Sequence, residues 1–222
     1  MQYNTLAKYY DALLTDEEVL IQWLDAFCKK MQGSSILDMG CGSGEAAIIL
    51  HRKGYHVEAF DLSKQMIDLA KEKSKEIDFQ IQDINDFNYS CHFDGILCLM
   101  DTMNYFLTKE RLVHIFNLVY HHLNEGGLFM FDYHQEQRVE EFKDEYIEEG
   151  FVLNIPYQWS IVSEHDYLLE KFVFYQEDGM QKEEHQQRIF SKETLISLLE
   201  SVGFKVEVET ILDEKYMIWG RK

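Results

Sequence analysis

Proline is almost missing from this chain: Pro156 stands alone among 222 residues, so there is no material for a stiff Pro-rich linker between domains. Basic residues are scarce too. Twenty-one Lys and Arg face 40 Asp and Glu, a formal net charge of -19 at pH 7, so the averaged surface repels phosphate backbones and anionic headgroups. With basic runs no longer than Lys29-Lys30 or Arg52-Lys53, neither nucleic acid nor membrane is expected as a partner. The four cysteines, Cys28, Cys41, Cys91 and Cys98, have no CxxC spacing and no disulfide-like framework, as suits a reducing compartment. No apolar run reaches the length of a membrane span. The opening MQYNTLAKYYDALL lacks the basic start and continuous apolar stretch of a secretory signal. A cytoplasmic protein, by default a monomer, is expected.

What is present is the balance of a folded globule: 46% hydrophobic and 27% charged residues, enough for one substantial core and too short a chain for two. A single domain over 1–222 is expected. Short apolar runs alternate with longer amphipathic ones. SSILDMG, HVEAFD, FQI, FDGILCLM and GLFMFDY read as strands, and Glu45 to Lys53, Ser63 to Lys75 and Lys109 to Leu123 as helices between them. This is the α/β pattern of a Rossmann-like, mostly parallel sheet with helices on both faces. Phe204 to Leu212 and Lys215 to Gly220 predict a C-terminal antiparallel hairpin. Residues 146–190, with aromatic and β-branched residues near every second position, predict a small antiparallel β insertion. Residues 1–32, containing an amphipathic helix over Glu17 to Met31, form a helical cap.

The sharpest chemical signal is DMGCGSG, Asp38 to Gly44, at the junction of the first strand and first helix. Glycines let a ligand approach the backbone closely, and the helix start offers free N–H groups to an anionic group. A dinucleotide fingerprint needs glycine three positions after the second glycine, but Glu45 stands there and disfavours a pyrophosphate. Two further acids end the next strands. Asp61 can accept hydrogen bonds from both hydroxyls of a ribose, and Asp83 from the exocyclic amine of an adenine.

Together LAKYYDALL, ILDMGCGSG, AFDLSKQMIDLAK, IQDINDF, FDGILCLMDTMNYF and LNEGGLFMFD resemble the class I S-adenosylmethionine-dependent methyltransferases, particularly small bacterial ones with an N-terminal Tyr-Asp element. The resemblance implies S-adenosyl-L-methionine as cofactor. Asp38 and the backbone of Gly40, Gly42 and Gly44 would hold its methionine portion, Asp61 the ribose, Leu62 and Met66 the adenine faces, and Asp83 with the Ile84 amide the adenine edge. Leu99 would lie beneath the sulfonium, and Tyr3 and Tyr10 would fold over the cofactor.

Such a reaction needs alignment of a nucleophile and exclusion of water rather than a metal or covalent residue. The mouth after the fourth and fifth strands carries Asn104, Tyr105, Tyr133 and His134, which are candidates to orient a small-molecule substrate, with Tyr105 and His134 as catalytic candidates. Trp159, in the insertion, is a further substrate-binding candidate. The acceptor atom, nitrogen or oxygen, stays open. A non-catalytic S-adenosylmethionine-binding protein, or less favourably a dinucleotide-dependent oxidoreductase, is the alternative.

Overall fold

The structure, a computed structural model, describes residues 6–14, 16–211 and 214–222. Tyr3 lies outside them, as do Leu212 and Asp213 of the expected C-terminal hairpin. A 3-10 turn over Leu6–Lys8 leads into α1 (Tyr10–Leu14) and α2 (Glu17–Lys30). Asp16 begins α2 because its side chain accepts from the Glu18 and Val19 amides, satisfying donors that a helix start leaves unpaired. One face of α2 buries Leu20, Trp23, Leu24 and Phe27.

Then follow β1 (Ser35–Met39), α3 (Glu45–Arg52), β2 (His56–Asp61), α4 (Lys64–Lys73), β3 (Asp78–Ile81), β4 (Phe93–Cys98), α5 (Lys109–His122) and β5 (Leu123–His134). After α6 (Gln137–Glu141) come β6 (Tyr146–Val152), β7 (Ile155–Glu164), β8 (Tyr167–Gln176) and β9 (Gly179–Arg188). The chain closes with α7 (Lys192–Val202), β10 (Lys205–Ile211) and β11 (Lys215–Arg221). Among the described residues the main sheet runs β10-β11-β5-β4-β1-β2-β3. Pairs β1–β2, β1–β4, β2–β3 and β4–β5 are parallel, and β11 is antiparallel to β5 and β10. The Rossmann-like sheet with its antiparallel C-terminal hairpin is therefore as the alternation predicts. Its strand order reverses between β1 and β4, where an open α/β sheet forms its ligand crevice.

The insertion is a four-stranded antiparallel meander, β6-β7-β8-β9. Leu153 and Asn154, with φ of 48° and 66°, make the two-residue turn between β6 and β7, the left-handed pair that matches strand twist. Strand β9 is GMQKEEHQQR, yet alternation buries His185 and Gln187 and half-buries Glu183. A buried strand face made of polar groups sacrifices hydrophobic stabilisation, which marks it as facing something polar.

The N-terminal segment bridges both sheets. Leu6 and Tyr9 pack with Val152, Phe172 and Phe174 of the insertion, and the Tyr9 and Phe174 rings stack at 4.4 Å. On the other side Asp11 accepts from Ser43 Oγ (2.5 Å) and Lys73 Nζ (2.5 Å), and Lys73 also reaches Glu45 (2.6 Å). Among the described residues no helix is long and apolar enough to cross a membrane.

Candidate active site

Three glycines shape the loop after β1 for different physical reasons. Gly44, with φ 86°, begins α3, and a Cβ there would lie 2.8 Å from the Phe79 ring, so its smallness serves packing. At Gly40, φ 75°, a Cβ would press to 2.9 Å on Thr102 Cγ2. Gly42 instead faces open space, leaving its backbone bare to a ligand. The loop is pinned by Asp61: the Gly42 amide donates to Oδ2 (3.0 Å) and the Ser63 amide to Oδ1 (2.7 Å). Each oxygen keeps a further lone pair for another donor.

Three cavities meet at the carboxyl ends of β1 and β4. One is lined by Asp38, Gly42, Ser43, Met66, Leu99 and Tyr10. A second, of about 410 Å³, is lined by Asp61, Leu62, Asp83, Ile84, Thr102 and Tyr105. A third, of about 190 Å³, lies between the two sheets and is lined by Tyr10, Asp101, Tyr105, His134, Trp159 and Glu170. Gly40, Asp61 and Thr102 belong to the first and second, Tyr10 and Met100 to the first and third, and Tyr105 to the second and third. The three thus form one branched cleft with its junction near Met100 and the two tyrosines.

The junction is built on unusual backbone. β4 is followed by Met100 and Asp101, both left-handed with φ of 59° and 60°, a conformation that disfavours residues with a Cβ. The Asp101 amide is compensated by Asp132, whose carboxylate oxygens lie 3.2 and 3.3 Å away. Lys215 from β11 places its ammonium 2.8 Å from Asp101 and 3.1 Å from Asp132. Burial raises the Asp132 carboxyl to about 6, against the opposing pull of Lys215. Burial also works against the Asp101 carboxylate, but His134 and Lys215 outweigh it and hold the group at about 2.

His134 sits 3.5 Å from Asp101, and burial lowers its pKa to about 4, so the ring is neutral at pH 7 and a weak base. Tyr105 is better supported. Its hydroxyl lies 3.2 Å from His185 Nδ1, His185 Nε2 lies 3.0 Å from Glu183 Oε1, and Glu183 Oε2 accepts the Leu6 amide at 3.0 Å. A carboxylate–imidazole–phenol chain therefore runs from the insertion to the cleft junction, tied at its far end to the N-terminal segment.

The sequence candidates divide accordingly. Asp38, Gly40, Gly42, Met66, Leu99 and Tyr10 gather in the loop cavity, where Met66 lies apart from Leu62, Asp83 and Ile84 of the second. Tyr105, His134 and Trp159 line the inter-sheet cavity. Asn104 and Tyr133 do not. Fully buried Asn104 donates to the Arg188 carbonyl (3.1 Å) and accepts from the His134 amide (3.4 Å). Tyr133 points to the opposite face of β5 from Asp132 and His134, and its hydroxyl donates to the Arg188 carbonyl at 2.7 Å; both residues bind backbone rather than lining the cleft. Sequence reasoning passed over Asp101, Asp132, Glu170, Glu183, His185 and Lys215. Only the parity of Asp132 with His134 on one strand signalled any of them.

A family profile described as "Methyltransferase domain" matches residues 36–127. The Geobacillus sp. (strain WCH70) protein named "Putative methyltransferase GWCH70_2453" is 31% identical over 170 residues, spanning 72% of this chain and 68% of that one. The chain belongs to the class I S-adenosylmethionine-dependent methyltransferases. The fold of this methyltransferase matches the crystal structure of a S-adenosylmethionine-dependent methyltransferase from Clostridium acetobutylicum ATCC 824, with TM-score 0.86, 24% identity and coverage of 99% and 98% of the two chains. It also matches SAM-bound CalS10, an amino pentose methyltransferase from Micromonospora echinaspora, with TM-score 0.79, 16% identity and coverage of 100% and 98%.

The cleft of the methyltransferase fits the cofactor, S-adenosyl-L-methionine. Asp38 Oδ2 is buried without a hydrogen-bond partner among the described residues. Burial, then the nearby Asp61, pushes its carboxyl up to about 7, the state of an acid awaiting a positive group.

Proposed function

We propose that this chain transfers a methyl group from S-adenosyl-L-methionine to the nitrogen or oxygen of a small-molecule acceptor bound between the two sheets. The observation that carries the proposal is the branched cleft, in which a glycine-loop cavity, an acid-lined cavity and an inter-sheet cavity meet at Tyr10, Met100 and Tyr105. In this reading Asp38 with the backbone of Gly40 and Gly42 holds the methionine portion, Asp61 the ribose, and Leu62, Asp83 and Ile84 the adenine, while Gly44 sets the turn. Tyr10 and Leu99 close the space around the sulfonium. When bound, the cofactor supplies a methyl group already activated by its positive sulfur.

The protein's own residues align the acceptor and take its proton. Tyr105 hydrogen-bonds to His185, which places its hydroxyl to relay a proton from the acceptor. As that proton arrives, Tyr105 passes its own to His185 Nδ1, while Glu183 holds Nε2. His134 and Trp159 serve as walls of the acceptor site. The limited volume of the inter-sheet cavity, about 190 Å³, favours a small molecule over a macromolecule, and the free state of all four cysteines accords with a reducing, cytoplasmic location. The proposal draws support from CalS10, whose amino pentose substrate is a small molecule.

The test is transfer of labelled methyl from S-adenosylmethionine into a small-metabolite pool. Wild type is expected to label a compound in it. Asp61→Ala is expected to weaken S-adenosylhomocysteine binding by about 1.5–3 kcal/mol, the loss of hydrogen bonds to a charged group, as read by calorimetry. A wild-type protein that neither binds S-adenosylhomocysteine at millimolar concentration nor transfers label would overturn the assignment.

The raised Asp38 carboxyl adds a pH prediction. A group with folded-state pKa near 7 is neutral below that pH, and binding a ligand ammonium requires its proton to leave. Affinity for S-adenosylhomocysteine is therefore expected to fall about tenfold per pH unit below about 7 and to level off above it. Calorimetry from pH 5.5 to 8.5 would show this slope, and Asp38→Asn would flatten it. An equal slope in Asp38→Asn assigns the proton elsewhere.

A further inference from the structure

We propose that the acceptor is a small primary or secondary amine that enters as its ammonium ion and is held by Glu170 against Trp159 and Phe172, an assignment that rests on the methyl-transfer reading above. The argument begins with strand register. Trp159 pairs with Phe172, Phe172 with Glu183, and Glu170 with His185, so alternation turns these side chains to one face of the insertion. That face closes the inter-sheet cavity.

The other ionised side chains lining this cavity each have an ion-pair partner, and Asp101 keeps its Oδ1 without a hydrogen bond among the described residues. Lys215 lies between Asp101 and Asp132. Arg138 pairs with Glu214 at 2.7 Å and Glu141 at 2.9 Å, and His185 is engaged by Tyr105 and Glu183. Glu170 has neither a hydrogen bond nor an ion pair among the described residues, and burial, reinforced by Asp101, lifts its carboxyl to about 7 against the pull of His185, Arg138 and Lys215. An acid kept partly neutral by its surroundings gains its full charge when a cation arrives.

The walls beside it favour the same occupant. The Trp159 and Phe172 rings stack at 5.9 Å with planes 8° apart, giving aromatic surface that attracts a desolvated cation. The Trp159 indole N–H, buried without a partner among the described residues, can donate to an oxygen elsewhere on the same molecule. A neutral alcohol would leave Glu170 uncompensated, and a carboxylate would be repelled by it.

The chemistry balances. The ammonium gives one proton to the Tyr105 oxygen as the phenol proton moves to His185 Nδ1, which frees the nitrogen lone pair. That pair forms the new N–CH3 bond while the methyl–sulfur bond breaks, its electrons staying on sulfur. Glu170 remains a carboxylate throughout and faces the imidazolium formed on its cross-strand neighbour His185.

Matched sets of primary amines, alcohols and carboxylic acids sharing four- to ten-atom skeletons would be tested against the S-adenosylhomocysteine complex by thermal shift, then for labelled methyl transfer. Amines are expected to raise the Tm and to be the compounds labelled. In Glu170→Gln their apparent affinity is expected to fall at least tenfold, with S-adenosylhomocysteine affinity unchanged and the ligand-free Tm equal to or above wild type. Glu170→Asp is expected to recover part of the amine selectivity. The proposal fails if alcohols or acids bind as well as amines, if no amine binds at millimolar concentration, or if Glu170→Gln keeps wild-type amine affinity. In each of those cases retained S-adenosylhomocysteine binding leaves the methyltransferase reading standing.

Discussion

Replacing Lys215 with methionine is expected to cost the folded state about 3–5 kcal/mol, because it removes one member of a buried charge group and strands the others. The Lys215 side chain is only 10% exposed and that of Asp132 is fully buried. Burial alone would lower the ammonium's pKa, yet the two carboxylates hold it above the ordinary lysine value. Methionine keeps most of the volume and the contact with the Trp23 ring, which lies 5.7 Å from the ammonium, so the loss reads charge rather than packing.

The pH dependence gives the sign. Without Lys215 the Asp132 carboxyl, already raised by burial, rises further above its unfolded value. Such a group stabilises the fold below the unfolded pKa, and that contribution is lost as pH rises through the folded value. Lys215→Met is thus expected to be closest to wild type near pH 4 and furthest from it at pH 8. Pairing it with Asp132→Asn should recover part of the loss. Urea unfolding at the two pH values measures both, and a deficit below about 1 kcal/mol at pH 8 would show that the charges are solvated.

The glycine-loop side of the cleft was legible because its residues follow one another along the chain at strand ends, and strand ends are what periodicity locates best. Gly40, Asp61 and Asp83 needed no long-range pairing to be placed at the same mouth. Helix α7 was equally readable, since Ser191 caps its start and Gly203, at φ 117°, ends it. The inter-sheet side was hidden for a physical reason. Glu183 and His185 lie in a strand so polar that it reads as solvent-exposed, and only the β8–β9 register turns them inward. Lys215 is 83 residues from Asp132 in sequence and meets it through antiparallel pairing of β11 with β5, in which Met217 faces Asp132. Asn104 and Tyr133 were drawn toward the site by their neighbours. Tyr133 could have been set aside on strand parity, because Asp132 and His134 occupy the other face. For Asn104 no pattern in the sequence shows that the Arg188 carbonyl would claim its amide.

Tyr105→Phe is expected to lower kcat by about 10²–10⁴-fold, the usual contribution of a positioned proton acceptor, while affinity for S-adenosylhomocysteine changes little. The hydroxyl is the only group removed, so the ring still closes the junction between the second and third cavities. His185→Gln should keep a hydrogen-bonding side chain beside Tyr105 but lose the ring that stores the proton, so it should shift the pH profile of kcat more than KM. Glu183→Gln, which removes the charge supporting His185 and weakens the acceptor of the Leu6 amide, should lower kcat less than Tyr105→Phe. It should also loosen the N-terminal segment, visible as faster amide exchange at Leu6. A purely structural role for this chain would instead lower the Tm of all three variants and leave the pH profile of the surviving activity unmoved. Steady-state kinetics from pH 6 to 9, with melting curves for each variant, separate the two outcomes. Wild-type kcat in Tyr105→Phe would remove the phenol from the reaction and leave alignment as the site's contribution.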